Sequence, residues 1–424
     1  MPKTSKAYSV MMLIILMLGT AILYYSNMVF AVRPMEMVEQ YGVTQADIAA
    51  ISTIGGIPGA VLSIIVGNIL DRKSIKLFVG ITMIGAVICM AIRIFMTDYV
   101  GLMVTTVAIG ALLLPMIIVG PKMLGNLFAP RDIPIALGFF GAAGGVGTTL
   151  SFAMGDVFIG VQEALISVCV VGIIVTVLWL IVCKSDKYMD NGQAPVIPKG
   201  AFIQVLRSSN MWKTMICGGF AVGASLLINS NLIAAYFSLN PDILANGAVD
   251  PTVLGTITNV CLIAGGIISG LVIGKAGKFN VPYLVFCVGG GALFLAGWLV
   301  GEVNGIGAGT IILYALAGIV FSGSVGTNFT RIPLLPLTKQ FGIEMTGAAS
   351  GMLQTALGVF QFVIPTAVTA AFVTAAGTDY TGIFIWAFIF VAAAGIIGMF
   401  IPELGVKGKL AQEAGEGINA GPLK

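Results

Sequence analysis

The sequence predicts an all-α membrane protein of twelve transmembrane helices, arranged as two six-helix bundles related as parallel repeats. Three observations carry this. Of the 424 residues, 58% are apolar and only 9% charged, against roughly 25% charged in a soluble domain. Twelve apolar runs reach the ~20 residues that a helix needs to cross a bilayer. Short stretches of the first half recur in the second half at a nearly constant offset.

The twelve runs cover about 8–32, 46–70, 77–97, 100–128, 133–155, 161–183, 211–238, 251–274, 281–301, 306–335, 346–374 and 380–401, here called spans 1 to 12. Span 1 is too long for the apolar core of a secretory signal and lacks a clear cleavage site, so it is expected to be retained. Loops are short except at KSDKYMDNGQAPVIPKG, residues 184–200, which is polar and contains prolines. The expected organisation is a bundle over 1–183, a linker over 184–210, a bundle over 211–402 and a tail over 403–424.

Charge sets the orientation. With both termini in the cytoplasm, 17 of the 21 Lys and Arg fall in cytoplasmic segments and only Arg33 in an outer loop. That is the asymmetry of the positive-inside rule. It predicts an integral protein of a prokaryotic cytoplasmic (inner) membrane with both termini cytoplasmic. All 18 acids fall at helix ends or in loops. Three bases, Arg93, Lys122 and Arg331, lie inside spans. Arg93 stands near the outer end of span 3 and is expected to snorkel or to pair with Asp98.

Several classes drop out. A net charge of +3 gives no reason to expect nucleic acid. The six cysteines form no C-x-x-C pair and read as buried free thiols. Histidine is absent, and no nucleophile–base pair, metal-ligand spacing or phosphate loop is found. Neither an enzyme nor a cofactor nor a metal is expected.

The repeat rests on three matches. GNILDRKSIK, Gly67 to Lys76, aligns with GLVIGKAGKF, Gly270 to Phe279, at an offset of 203. Ser26-Asn27 aligns with Ser230-Asn231 at 204, and LFAPRDIPIALG (127–138) with QFGIEMTGAASG (340–351) at 213. Halves with an even number of helices share one orientation, which makes them parallel repeats.

With these features the chain resembles the major facilitator superfamily over essentially its whole length. GNILDRKSIK is similar to the family's loop motif between helices 2 and 3. Gly67, Leu70, Asp71, Arg72 and Lys76 fit it, and Ser74 stands where glycine is usual. The resemblance implies alternating access by rocking of two bundles about a midplane site. It also implies that Asp71 and Arg72 help to close the cytoplasmic side. Lys73, and Lys275 in the second copy, are expected gating residues beside them. The family's antiporter signature in span 5 is not matched, because Gly141 is followed by Ala142.

By the same resemblance spans 1, 4, 7 and 10 line the pathway, with 2, 5, 8 and 11 beside them. Polar residues inside these spans are then candidates for substrate contact: Tyr25 and Asn27, Asn231, Tyr314, Thr327 and Asn328, and Gln354. Asn229, Asn259 and Gln361 belong to the same set. For each, an ordinary interhelical hydrogen bond is the other reading. Lys122, after Pro121 in span 4, and Arg331 in span 10 stand roughly 12 Å from the midplane at a rise of about 1.5 Å per residue. No acid within the spans neutralises them, and an unpaired buried cation is costly. They are expected to form the two halves of an anion site, arginine offering a fork and lysine a point charge. The other reading makes them gate residues. Pro333 and Pro336 are expected to let span 10 bend.

The expected function is secondary transport of a small organic anion, a carboxylate, by exchange or by symport of a proton that the substrate brings. The alternative is a neutral or amphipathic solute. The expected partners are an anionic small molecule and the lipid bilayer, and the chain is expected to act as a monomer.

Overall fold

The computed structural model describes residues 6–72, 74–128, 136, 139–155, 160–184, 201–239, 249–342, 345–374 and 377–404. The first half holds α1 (Lys6–Val32), α2 (Pro34–Tyr41), α3 (Gln45–Ile54), α4 (Ile57–Arg72), α5 (Ile75–Arg93), α6 (Tyr99–Leu127), α7 (Ala143–Gly155) and α8 (Val161–Val182). The second holds α9 (Ala201–Arg207), α10 (Ser209–Leu239), α11 (Thr252–Ala276), α12 (Asn280–Asn304), α13 (Ala308–Arg331), α14 (Thr346–Phe372) and α15 (Tyr380–Met399). Eleven stretches are long and apolar enough to cross a membrane, and a shorter apolar helix over Phe139–Met154 stands where span 5 is predicted. The result is the expected all-helical membrane fold of two six-helix bundles.

The departures have local causes. Span 2 is two helices, α3 and α4, broken at Gly55 and Gly56. Two poor helix formers stand there just before Pro58, which brings no N–H to the ladder. Span 10 ends as an α-helix at Arg331 and continues as a 3-10 helix over Ile332–Thr338. Pro333 and Pro336 therefore lie beyond the α-helix rather than bending it. After α14 comes a small hairpin, β1 (Val373–Thr374) paired antiparallel with β2 (Gly377–Thr378). Helices α2 and α9 fall where a loop and a linker are predicted.

The acids at helix ends cap those helices. Asp98 Oδ1 accepts from Gly101 N at 2.7 Å, Asp379 Oδ1 from Gly382 N at 3.0 Å, and Asp250 Oδ1 from Thr252 N at 2.8 Å. Thr44 and Asp47 form a capping box on α3. Glu36 accepts from Val161 N at the start of α8, and Glu403 from the N–H groups of Phe279 and Asn280 at the start of α12. The first turn of a helix has unpaired N–H groups and a partial positive charge, and a carboxylate answers both.

Close helix crossings mark the repeat. A Cβ on Gly110 of α6 would overlap the carbonyl of Gly55, and one on Gly318 of α13 the carbonyl of Thr258. Thr258 stands 203 residues after Gly55, the offset that relates Gly67 to Gly270. Each half thus crosses its second and fourth spans backbone to backbone, which small residues permit. In the second bundle Trp298 stacks on Phe384, with ring centroids 5.0 Å apart.

Residues 6 and 404 lie on the same face of the bundle, here the terminal face. There Lys184 N donates to Tyr8, and Lys213 Nζ to the Phe400 carbonyl. The opposite face, which holds α2 and the hairpin, is the distal face.

Candidate functional site

The halves meet through two antiparallel helix pairs. In the first, α7 runs against α11. Phe152 fills the space beside Gly255, Thr148 meets Asn259, and Gly145 lies against Leu262 and Ile263. In the second, α14 runs against α3 and α4, with Gln361 over Gly56 and Gly358 against Gly56 and Ala60.

The hydrogen bonds that Gln45 and Thr148 make across the halves lie in the distal half of this interface. Gln45 Nε2 donates to the Ser230 carbonyl at 3.1 Å and to Asn231 Oδ1 at 3.2 Å. Asn231 Nδ2 donates in turn to Thr369 Oγ1 at 2.9 Å. Nearby, Val32 of the first half packs with Phe152 and Ile233. Closer to the midplane, Thr148 Oγ1 donates to Asn259 Oδ1 at 2.6 Å, and Asn259 Nδ2 to Asn229 Oδ1 at 2.9 Å. Asn27 lies against Gly55, and its Oδ1 is buried without a hydrogen bond. Toward the terminal face the pattern changes. At Gly141, Gly270, Gly326 and Gly351 a Cβ would have no neighbour within 4 Å among the described residues. Among the described residues, the hydrogen bonds identified between the halves lie on the distal side.

Only some candidates fall in this interface. Asn231 does, as part of the distal seal, while Asn27 lies against Gly55 of its own half. Tyr25 instead faces its own bundle, bonded to Ser167 of α8. Tyr314 sits among aromatic rings of the second bundle, edge-on to Tyr236 and Phe294. Thr327 Oγ1 donates to the Gly323 carbonyl of its own helix. Asn328 Nδ2 donates to the Tyr283 hydroxyl at 3.1 Å and to the Ser324 carbonyl. Gln354 is half-buried on α14 and Lys275 is exposed in the last turn of α11. Lys122, Asp71 and Arg72 lie on α6 and α4, with side chains outside the described set, and Lys73 is outside the described residues.

The buried arginines differ most from expectation. Arg93 neither snorkels nor pairs with Asp98. It is 0% exposed, its Nη1 donates to the Ser26 carbonyl at 3.1 Å, and it lies over the Phe30 ring at 5.4 Å. Asp98 is occupied as a helix cap. Arg331 is also 0% exposed, its guanidinium 4.2 Å over the Tyr283 ring and its Nη2 3.3 Å from Asn280 Oδ1. Tyr283 and Asn280 belong to α12, so Arg331 turns into its own bundle rather than toward the first half. Neither guanidinium has a carboxylate partner among the described residues, and each keeps two buried nitrogens without hydrogen bonds. An aromatic face stabilises such a cation only in part.

Two residues of the interface escape a reading by spans. Gln45 precedes the apolar run of span 2 by one position. Thr148 sits in a glycine-rich stretch, GAAGGVGTT, that reads as close packing. Its period would have revealed it, since Thr148 falls one helical turn after the closely packed Gly145.

Two membrane-spanning helical bundles joined by antiparallel helix pairs are the architecture of a membrane transporter of the two-bundle class. Residues 14–365 match the family model of the Major Facilitator Superfamily, and the chain belongs to that family. It is a secondary transporter. No curated protein matches the chain by sequence. Solved structures with the same fold include a bacterial homologue of the human lysosomal transporter Spinster, inward-facing and unoccupied. It is 13% identical, with a TM-score of 0.64 over 94% of this chain and 96% of that one. The nucleoside transporter NupG, in a mutant form, is 14% identical with a TM-score of 0.68 over 91% and 99%. The proton:xylose symporter XylE, bound to 6-bromo-6-deoxy-D-glucose, is 13% identical with a TM-score of 0.68 over 97% and 99%.

Proposed function

We propose that this transporter carries a small organic anion, a carboxylate, by alternating access. The observation that carries the reading is the sign of the membrane interior. The acids within the spans, Asp47 and Glu163, stand at helix starts, so away from the span ends the ionisable groups are basic apart from tyrosine and cysteine, and the guanidiniums of Arg93 and Arg331 are buried without carboxylate partners among the described residues. A unit charge acting over about 10–15 Å at an effective dielectric of about 20 is worth ~1–1.7 kcal/mol. Three such charges favour an anion in the cleft and repel a cation.

The contacts divide between neutral and charged groups. Thr148, Asn259, Asn229 and Gln361 stand at the interface and supply hydroxyl and amide groups. Lys122 reaches the anion from span 4. Arg331 acts through its field from within the second bundle. Asp71, Arg72, Lys73 and Lys275 close the terminal side in the opposite state. Away from their ends the spans hold no carboxylate, and the chain holds no histidine, to carry a proton, which favours exchange or a proton brought by the substrate. The basic residues cluster on the terminal face, and that supports a cytoplasmic location for it in a prokaryotic inner membrane. The chain acts as a monomer in this reading.

One observation favours the second reading, a neutral or amphipathic solute: Gln45 and Thr148, which bond across the halves to Asn231 and Asn259, are uncharged. Thermal unfolding of the purified protein separates the two. A ligand that binds only the folded state raises the midpoint by mass action. Pairs of mono- and dicarboxylates and their amides are the panel. Under the anion reading a carboxylate raises the midpoint and its amide does not. Equal shifts for both members of a pair, or shifts for amides alone, refute it.

A further inference from the structure

The outer wall of the first bundle carries a groove of about 480 Å³ between α1 and α8. Its walls are Val10, Ile14 and Leu18 on one side and Leu178 and Val182 on the other, with Lys6 at its terminal-face end. Val10 and Ile14 are nearly half exposed, although they lie in a helix that crosses the membrane. From Lys6 to Leu18 the groove runs about 18 Å at 1.5 Å per residue. That is close to one leaflet, half of a hydrocarbon core of ~30 Å. A second lysine, Lys184, is exposed just beyond the end of α8. Its backbone N–H is tied to the Tyr8 hydroxyl at 2.9 Å, two residues along α1 from Lys6.

We propose that this groove is a binding site for one anionic glycerophospholipid of the terminal-face leaflet. An acyl chain fills the apolar channel between α1 and α8, and the phosphate is held between Lys6 and Lys184. Length, lining and charge all fit that occupant. The groove is as deep as one leaflet, it is apolar along its depth, and the basic groups are at the end where headgroups lie. Basic pockets between transmembrane helices select anionic headgroups by the same electrostatics. The lysines are not bound to carboxylates of the groove wall, since none lines it. A zwitterionic lipid would fill the channel equally well but would gain less from two ammonium groups. The site is separate from the cleft between the halves, so it stands or falls independently of the substrate proposed above.

Native mass spectrometry of the full chain tests this. The protein is released from detergent after incubation with phosphatidylglycerol or phosphatidylethanolamine of identical chains. Wild type is expected to retain the anionic lipid about tenfold better. The double variant Lys6→Gln/Lys184→Gln should lose that preference and keep the weaker binding common to both lipids. Ile14→Trp, which fills the channel from a lipid-facing position, should reduce retention of both. Lys278→Gln, the loss of one lysine charge at an exposed position just after α11 on the terminal face, should change nothing. Equal retention of the two lipids by wild type overturns the proposal. So does an anionic preference that survives the double variant or falls as far with Lys278→Gln, or a retention of both lipids that Ile14→Trp leaves undiminished.

Discussion

Gly358→Val is expected to abolish transport, by about a hundredfold or more, in a protein that still folds. A Cβ on Gly358 would stand 2.7 Å from the carbonyl oxygen of Gly56 and 2.7 Å from the nitrogen of Ala60. Both are backbone atoms, so no rotamer change relieves the contact. The added bulk has to push α14 away from α3 and α4, and with it the second bundle away from the first. Overpacking of about 3 kcal/mol, placed on one conformation alone, shifts a two-state ratio by about a hundredfold. Gly351→Val on the same helix is the control. A Cβ there meets no described atom within 4 Å, so ligand binding to the distally sealed state should be retained. Binding measured by thermal shift and flux measured in proteoliposomes together check the pair. If Gly358→Val transports at the wild-type rate, the α14 crossing does not hold the halves together as described.

Arg331→Met is expected to leave stability within about 1 kcal/mol of wild type, or to raise it, while the preference for a carboxylate over its amide falls about tenfold. The stability half follows from the two guanidinium nitrogens buried without partners. Replacing an ill-compensated buried charge with an apolar side chain of similar reach is often neutral or stabilising. Methionine also keeps a soft group over the Tyr283 ring. The binding half follows from the lost field of one unit charge. Arg331→Ala separates packing from charge, because it empties the space over Tyr283 and should cost about 3 kcal/mol. Titration of both variants with one carboxylate–amide pair gives the result. An unchanged preference in Arg331→Met would show that this cation does not act on the ligand.

Much of the architecture was legible because it rests on quantities that a sequence carries directly. Span number follows from apolar run length, and the paired halves from matches such as Gly67 with Gly270. The free thiols are as expected, with Cys169, Cys183, Cys217 and Cys287 buried and Cys89 and Cys261 partly so. What failed was direction. The sequence places Arg331 on span 10 but cannot say that its side chain turns to Asn280 and Tyr283, because a helix offers several faces and its mean apolarity is high all round. The same holds for Tyr25 and Tyr314, which serve their own bundles. Arg93 beside Asp98 looks like an ion pair along the chain. The carboxylate instead goes to the unpaired N–H groups of the next helix, and the guanidinium to the Ser26 carbonyl. Local backbone chemistry also decided where helices end: Gly55, Gly56 and Pro58 split span 2, and Pro333 and Pro336 end span 10 at Arg331.

The distal seal explains why the interface binds through neutral groups. Gln45 has to part from Ser230 and Asn231 when the distal side opens, and hydrogen bonds between uncharged groups are worth only about 0.5–1.5 kcal/mol each. Such bonds break and re-form within the energy that a ligand can redistribute between two states. Buried ion pairs would resist more strongly.

Counterflow in proteoliposomes tests the central claim most directly. Vesicles are loaded with the unlabelled carboxylate that stabilises the protein most, then diluted into a trace of the labelled compound. The account predicts a transient accumulation of label that external carboxylate suppresses and the matched amide does not. Suppression by the amide as strong as by the carboxylate would contradict it and establish the neutral-solute transporter in its place.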